Sequence, residues 1–209
     1  MPEHLPLFLM TTWLLAMLPG AGQALMLRQT LKGGRHLAWT SIAGTFTGLV
    51  LWSTAAAAGL SAVLLANPTA YSMVRIAGGV MLLGLGVNTL VAVTRSKAPV
   101  SAPEPKPLHL LSPWAGYGAG LATNLANPKA GVFAISLLPQ FVTPNGPVFL
   151  STLALGAIWA FVTAGWYVLF TWAVDRGRAL VSRPEVLRGL QLSTGAVLSL
   201  LGIAVAAGL

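Results

Sequence analysis

No cysteine occurs among the 209 residues, so disulfides, thiol nucleophiles and thiolate metal sites are all excluded. Acid is nearly as scarce. Glu3, Glu104, Asp175 and Glu185 are the only carboxylates, and each falls at the end of an apolar run or between two of them. The interior of those runs therefore has no carboxylate to bind a hard cation, activate water or carry a proton. No Ser/His or paired-acid arrangement falls there either, which argues against an enzyme. His4, His36 and His109 lie at predicted segment ends and do not assemble a metal site, so neither metal nor cofactor is expected.

What the chain does have is hydrocarbon. Hydrophobic residues make up 56% and charged residues 8%, and the mean hydropathy of +0.77 leaves too little polar surface for a soluble globule. Six stretches are long and apolar enough to span a bilayer as helices: residues 5–27, 38–65, 72–93, 114–142, 147–174 and 189–208. The first is expected to stay as a mature helix, since no Lys or Arg precedes Arg28 and Pro19 with Gly20 interrupts it. Residues 94–112 hold Pro99, Pro103, Pro105 and Pro107 among mixed charges and read as a solvated linker. The expectation is a single domain, 1–209, in which residues 1–93 form one three-helix repeat and residues 113–209 a second.

The formal net charge of +8 would point to nucleic acid in a soluble chain, but here the cations sit in short clusters between apolar runs and set topology instead. Arg28, Lys32 and Arg35 follow the first segment. Arg95, Lys97 and Lys106 follow the third, and Arg176, Arg178, Arg183 and Arg188 follow the fifth. Ten of twelve cations thus occupy alternate loops, which places those loops in the cytoplasm and both termini outside it.

Arg75, at the start of the third segment, reads as a snorkelling residue. The twelfth cation is Lys129, the only formal charge between Lys106 and Asp175. It lies inside an apolar stretch, where an unpartnered cation is costly, and directly follows Asn127 and Pro128. Proline removes a backbone donor, so a spanning helix should break where the charge lies. Segment one breaks in the same way at Pro19 and Gly20.

Three helices per half make the halves enter the membrane in opposite directions, the arrangement of inverted-repeat transporters. The reading is an all-α integral membrane protein of six transmembrane helices in two inverted repeats, with helices 1 and 4 broken at proline. Gly44 with Gly48, Gly116 with Gly120, and Gly79, Gly84 and Gly86 offer small-residue packing faces. Gln23, Asn88, Asn124 and Gln140 are expected to bond across helices. Asp175 is expected to cluster with Arg176 and Arg178 at the interface, and the seven tryptophans to anchor or pack helices.

The run Gly120, Leu121, Ala122, Thr123, Asn124, Leu125, Ala126, Asn127, Pro128, Lys129, Ala130, then Phe133 and Leu138, Pro139, Gln140, Phe141, resembles the second-half signature of the LysE/RhtB amino-acid exporters. Pro19 with Gly20, the Gly34 and Arg35 turn and the Gly44 to Gly48 pair fit the first half. The likeness covers nearly the whole chain. It departs in helix one, which reads Pro19, Gly20, Ala21, Gly22, Gln23 where the family usually shows Pro, Gly, Pro, Asn.

The resemblance implies efflux of amino acids or related small metabolites across a bacterial inner membrane, driven by protons, with a homodimer as one assembly the family uses. On the residues themselves, Lys129 is the partner for a substrate carboxylate, or else a cap on carbonyl ends. Gln23, Asn124 and Asn127, with backbone groups freed at Pro19, Gly20 and Pro128, face the ammonium. The lack of an intramembrane acid argues against lysine or arginine as substrate. It also leaves Lys129 as the candidate proton carrier. A divalent-metal carrier of similar six-helix build and a non-transporting scaffold are the alternatives.

Overall fold

The structure is a computed structural model that describes residues 5–66, 68–95, 112–142, 147–177 and 184–207. Among these residues every regular element is helical: α1 (Leu5–Met17), α2 (Ala21–Ala66), α3 (Pro68–Arg95), α4 (Pro113–Leu125), α5 (Pro128–Val132), a π-helical turn (Phe133–Leu137), a 3₁₀ turn (Leu138–Phe141), α6 (Val148–Arg176) and α7 (Pro184–Ala207). Proline opens α3, α4, α5 and α7, where a missing N–H costs nothing and the fixed φ suits the first turn. Ser112 caps α4 by accepting from Ala115 N at 3.3 Å.

Among the described residues three helices are long and apolar enough to cross a membrane: Gly33–Gly59, Ile76–Arg95 and Val148–Arg176. A fourth crossing is available if α1 and the Ala21–Leu31 arm of α2, bent by 55° at their break, count as one span. Gln191–Ala207 is apolar but shorter.

Some expected boundaries shift. The second and third segments are joined more tightly than expected, because the presumed turn at residues 67–71 is already helical from Pro68. The first and second run together through Ala21–Ala66, dividing only at Gly34, whose φ of 76° is open to glycine and strained for other residues. The fourth segment ends irregularly. Pro139 brings no N–H to the ladder, and just before it Leu138 N bonds five residues back to Phe133 O, which opens the π turn. Most of the linker, the turn at residues 143–146, Arg178, Arg183, His4, His109, Glu3, Glu104 and the Arg75 side chain lie outside the described residues.

Packing follows the small residues. The Gly33–Gly59 arm of α2 lies antiparallel to α6, with Ser53 on Gly156, Phe46 against Phe161 and Arg35 paired with Asp175. The same arm runs parallel to α4, since Leu37, Ser41 and Gly48 meet Gly116, Gly120 and Asn124 in turn. A β-carbon at Gly44 or Gly120 would strike the backbone of the facing helix, so larger residues cannot enter. Ser41 Oγ donates to Gly116 O at 2.8 Å and Tyr117 to Thr47 Oγ1 at 3.0 Å across this seam.

α3 and α7 pair antiparallel, Gly79 on Gly202 and Gly86 on Gly195. They join the rest where Gly78 abuts Ser136. Gly84 faces open space and takes no part, contrary to expectation. The largest core gathers Phe8, Phe133, Leu138, Leu155 and Trp159, the last ring 4.5 Å from Phe133. Trp39, Trp114 and Trp172 are exposed at the end that carries Arg35 and Arg176, as an interfacial aromatic belt requires.

Candidate functional site

The first break falls at Leu18, Pro19 and Gly20, and it strands the C-terminal carbonyls of α1 in the bundle. Leu14 O accepts from Leu18 N at 3.1 Å. The next carbonyls are taken by side chains. Lys129 Nζ donates to Leu15 O at 3.1 Å and to Leu18 O at 3.2 Å. Gln23 Nε2, reaching back over the break from the first turn of α2, donates to Ala16 O at 3.1 Å and Met17 O at 3.0 Å. A cation at mid-bilayer costs about 2.5 to 3.5 kcal/mol on insertion scales. Two charge-assisted hydrogen bonds, at about 1.5 to 3 kcal/mol each, offset this. The negative end of the α1 dipole adds to the attraction.

The second break is built differently. Ala126 N bonds Ala122 O at 2.9 Å and Asn127 N bonds Asn124 O at 3.0 Å, closing α4 on itself. Asn127 Oδ1 then accepts from Lys129 N at 3.1 Å, capping the restart at Pro128. This fixes the first turn of α5 and aims Lys129 at α1. The ammonium stays partly buried, and two of its three protons are used by carbonyls.

Six of the expected site residues thus meet at one crossing. Pro19 and Gly20 form the first break, Gln23 clamps it, Asn127 and Pro128 form the second, and Lys129 ties the two. A β-carbon on Gly20 would lie 3.7 Å from Lys129 Nζ, so that residue shares its surface with the amine. Asn124 stands nearby but is directed at α2. It is buried, its side chain packs on Gly48, and its carbonyl also accepts from Trp52 Nε1 at 3.4 Å. Asn124 Oδ1 is buried with no hydrogen-bond partner among the described residues.

The profile of the LysE type translocators matches residues 13–208, nearly the whole chain. The chain belongs to that family. Its relatives include the membrane protein YrhP of Bacillus subtilis, 25% identical over 91% of this chain and 92% of that one. A homoserine/homoserine lactone efflux protein of Salmonella typhimurium is 27% identical over 93% and 92%. A threonine efflux protein of Escherichia coli is 28% identical over 84% and 80%. No solved structure matches.

One other expectation about this LysE type translocator is corrected by its contacts. Gln140 does not bond across helices but donates to Ser136 O, one turn back in its own segment, at 3.0 Å. Asp175 pairs with Arg35, at the start of the Gly33–Gly59 arm of α2, at 3.3 Å, and Arg176 beside it lies over the Trp172 ring at 4.5 Å, while Arg178 falls outside the described residues. Asn88 is exposed on α3.

Tyr167 is a residue the sequence reading passed over. It is buried, and its hydroxyl touches Gly22 so closely that a β-carbon there would overlap it. The available signal was a phenol in the middle of an apolar helix, which needs a polar neighbour. The acceptors on Leu15 and Leu18 left no signal, since a backbone carbonyl looks alike at every residue.

Proposed function

We propose that this chain exports neutral amino acids or closely related small metabolites across a bacterial inner membrane, binding them where the two broken helices cross. The observation that carries the reading is the Lys129 ammonium shared between the restart at Pro128 and the stranded carbonyls of Leu15 and Leu18. A zwitterion complements both halves of this contact. Its carboxylate pairs with Lys129, drawing the amine off α1, and its ammonium takes the released carbonyls. Solute binding then exchanges one set of ion–dipole contacts for another inside the membrane, with no net charge added. The N–H groups that open α2 after Gly20 favour the carboxylate end.

The names of the relatives support a solute of this size, since homoserine and threonine are both neutral amino acids with a hydroxyl. Six spans in two inverted three-helix repeats, split at residues 94–112, suit the opposed courses of the two broken helices. Rocking of one half against the other would open the crossing to each side in turn. In this reading protons drive the cycle through Lys129, the termini lie outside the cytoplasm, and a second copy packs where Gly84 faces open space. A metal carrier is disfavoured, because hard cations need negatively charged oxygen ligands and the apolar runs hold no carboxylate.

The test is a resistance screen. Cells overproducing the chain are challenged with toxic amino acids and analogues, and efflux of labelled threonine or homoserine is then timed. Faster efflux than in empty-vector cells, lost in cells overproducing Lys129→Gln at the same level, is the expected result. Equal rates for every amino acid tried would remove the exporter and leave the scaffold.

A further inference from the structure

The five buried side-chain atoms without a hydrogen-bond partner among the described residues are not scattered. Asn124 Oδ1 sits at the second break, and the other four are Gln29 Oε1 on α2 and Thr163 Oγ1, Trp166 Nε1 and Thr171 Oγ1 on α6. Met26, Ile42 and Tyr167 pack together between them, so these four lie along the seam where α6 meets both arms of α2. Thr163, Tyr167 and Thr171 stand one turn apart on a single face of α6. Gln29, Thr163 and Thr171 are 3%, 6% and 0% exposed.

The threonines are unusual within their own fold. Thr12, Thr30, Thr47, Thr54 and Thr152 each turn the hydroxyl back onto the carbonyl four residues before, the ordinary resting place in an apolar helix. Thr163 and Thr171 do not. Their hydroxyls are buried and have no partner among the described residues, a state that hydration or a polar solute relieves. At one end the seam begins beside Gly22, next to Gln23 and the crossing. At the other it ends at the Arg35–Asp175 pair, among the cations Arg28, Arg35 and Arg176 that draw anionic groups.

We propose that this seam is the route between the crossing and the arginine-rich face, shut in this structure and hydrated when open, lined by Gln29, Thr163, Tyr167 and Thr171 and latched by Arg35 with Asp175. Unpaired polar atoms make the shut seam less stable than a fully apolar one, which lowers the cost of opening it. The latch is a partly exposed ion pair, a weak contact that a passing zwitterion can displace. The proposal rests on the exporter reading for its solute, but not for its hydration.

The lack of native cysteine makes the test direct. Gln29→Cys, Thr163→Cys and Thr171→Cys are introduced singly into the full chain in membrane vesicles of each orientation and treated with a membrane-impermeant thiol reagent. The controls are Thr152→Cys, buried at the far end of the same face of α6, and Leu169→Cys, exposed on its outer face. Reaction of the three from the arginine-rich side, with both controls silent, is the expected result. Asp175→Asn should speed labelling of Thr171→Cys roughly threefold, the size a partly exposed ion pair supplies.

Silence at all three seam positions in vesicles that still export labelled threonine overturns the route and leaves the exporter standing. Labelling of Leu169→Cys as fast as Thr171→Cys overturns it too. Seam labelling that no amino acid slows supports the route while counting against the exporter.

Discussion

The two broken helices solve one problem in opposite ways. At the second break the chain satisfies itself, with Asn127 capping Lys129 N and the last turn of α4 closing on Ala126 and Asn127. At the first, the carbonyls of α1 depend on Gln23 beyond the bend and on Lys129, which is 111 to 114 residues away. A locally capped break holds its shape whatever the other half does. A break capped by the other half loses its partner when the halves move, so the first is the one that a solute can remodel.

The largest effect is expected where the comparison is sharpest. Lys129→Gln removes the charge that links the breaks, and efflux should fall about ten- to a hundredfold, the equivalent of one charged hydrogen bond. Lys129→Arg keeps the charge and both carbonyl contacts but cannot deprotonate. If Lys129 carries the coupling proton, this variant should exchange labelled solute yet fail to concentrate it against a gradient. Accumulation driven by a pH gradient in the arginine variant would remove the lysine from coupling.

Gln23→Leu should rank next, because it leaves the carbonyls of Ala16 and Met17 unpaired, and the buried Ala16 oxygen alone costs about 1 to 3 kcal/mol. Lower thermal stability in detergent, with the loss confined to proteolysis near residues 14–24, would localise the damage to the first break. Gly22→Ala drives a methyl into Tyr167 and should destabilise by about 1 to 3 kcal/mol as an overpacked site does. Tyr167→Phe in the same chain should recover part of this. No recovery would mean that the hydroxyl is not what the methyl meets.

The smallest effect is expected at the self-sufficient break. Asn127→Ala removes one cap, about 1 kcal/mol, and Asn127→Asp should restore it. A loss as large as that of Lys129→Gln would show that the second break is not independent and would erase the contrast.

The seam offers a second contrast with the α3 and α7 pair. That pair is closed by glycines on backbone, Gly79 on Gly202 and Gly86 on Gly195, and Ser199 Oγ is satisfied by Gly195 O at 2.8 Å. Such faces are legible as small-residue spacings, and Gly44, Gly48, Gly116 and Gly120 were too. The seam was not legible. Thr163 and Thr171 look like any helical threonine in sequence, and only their failure to bond back to the helix sets them apart. The Arg35–Asp175 pair was hidden for a related reason, because nearby Arg176 offered a simpler local partner for the acid than a residue at the start of another helix.

Composition and spacing alone determined the membrane class and the positions of both breaks. These follow from hydrocarbon content and from proline's missing N–H. Which carbonyls Lys129 would find was decided only in three dimensions. A backbone oxygen is chemically the same at every residue, so the choice of Leu15 and Leu18 comes from how two bent helices cross and from nothing written at those positions.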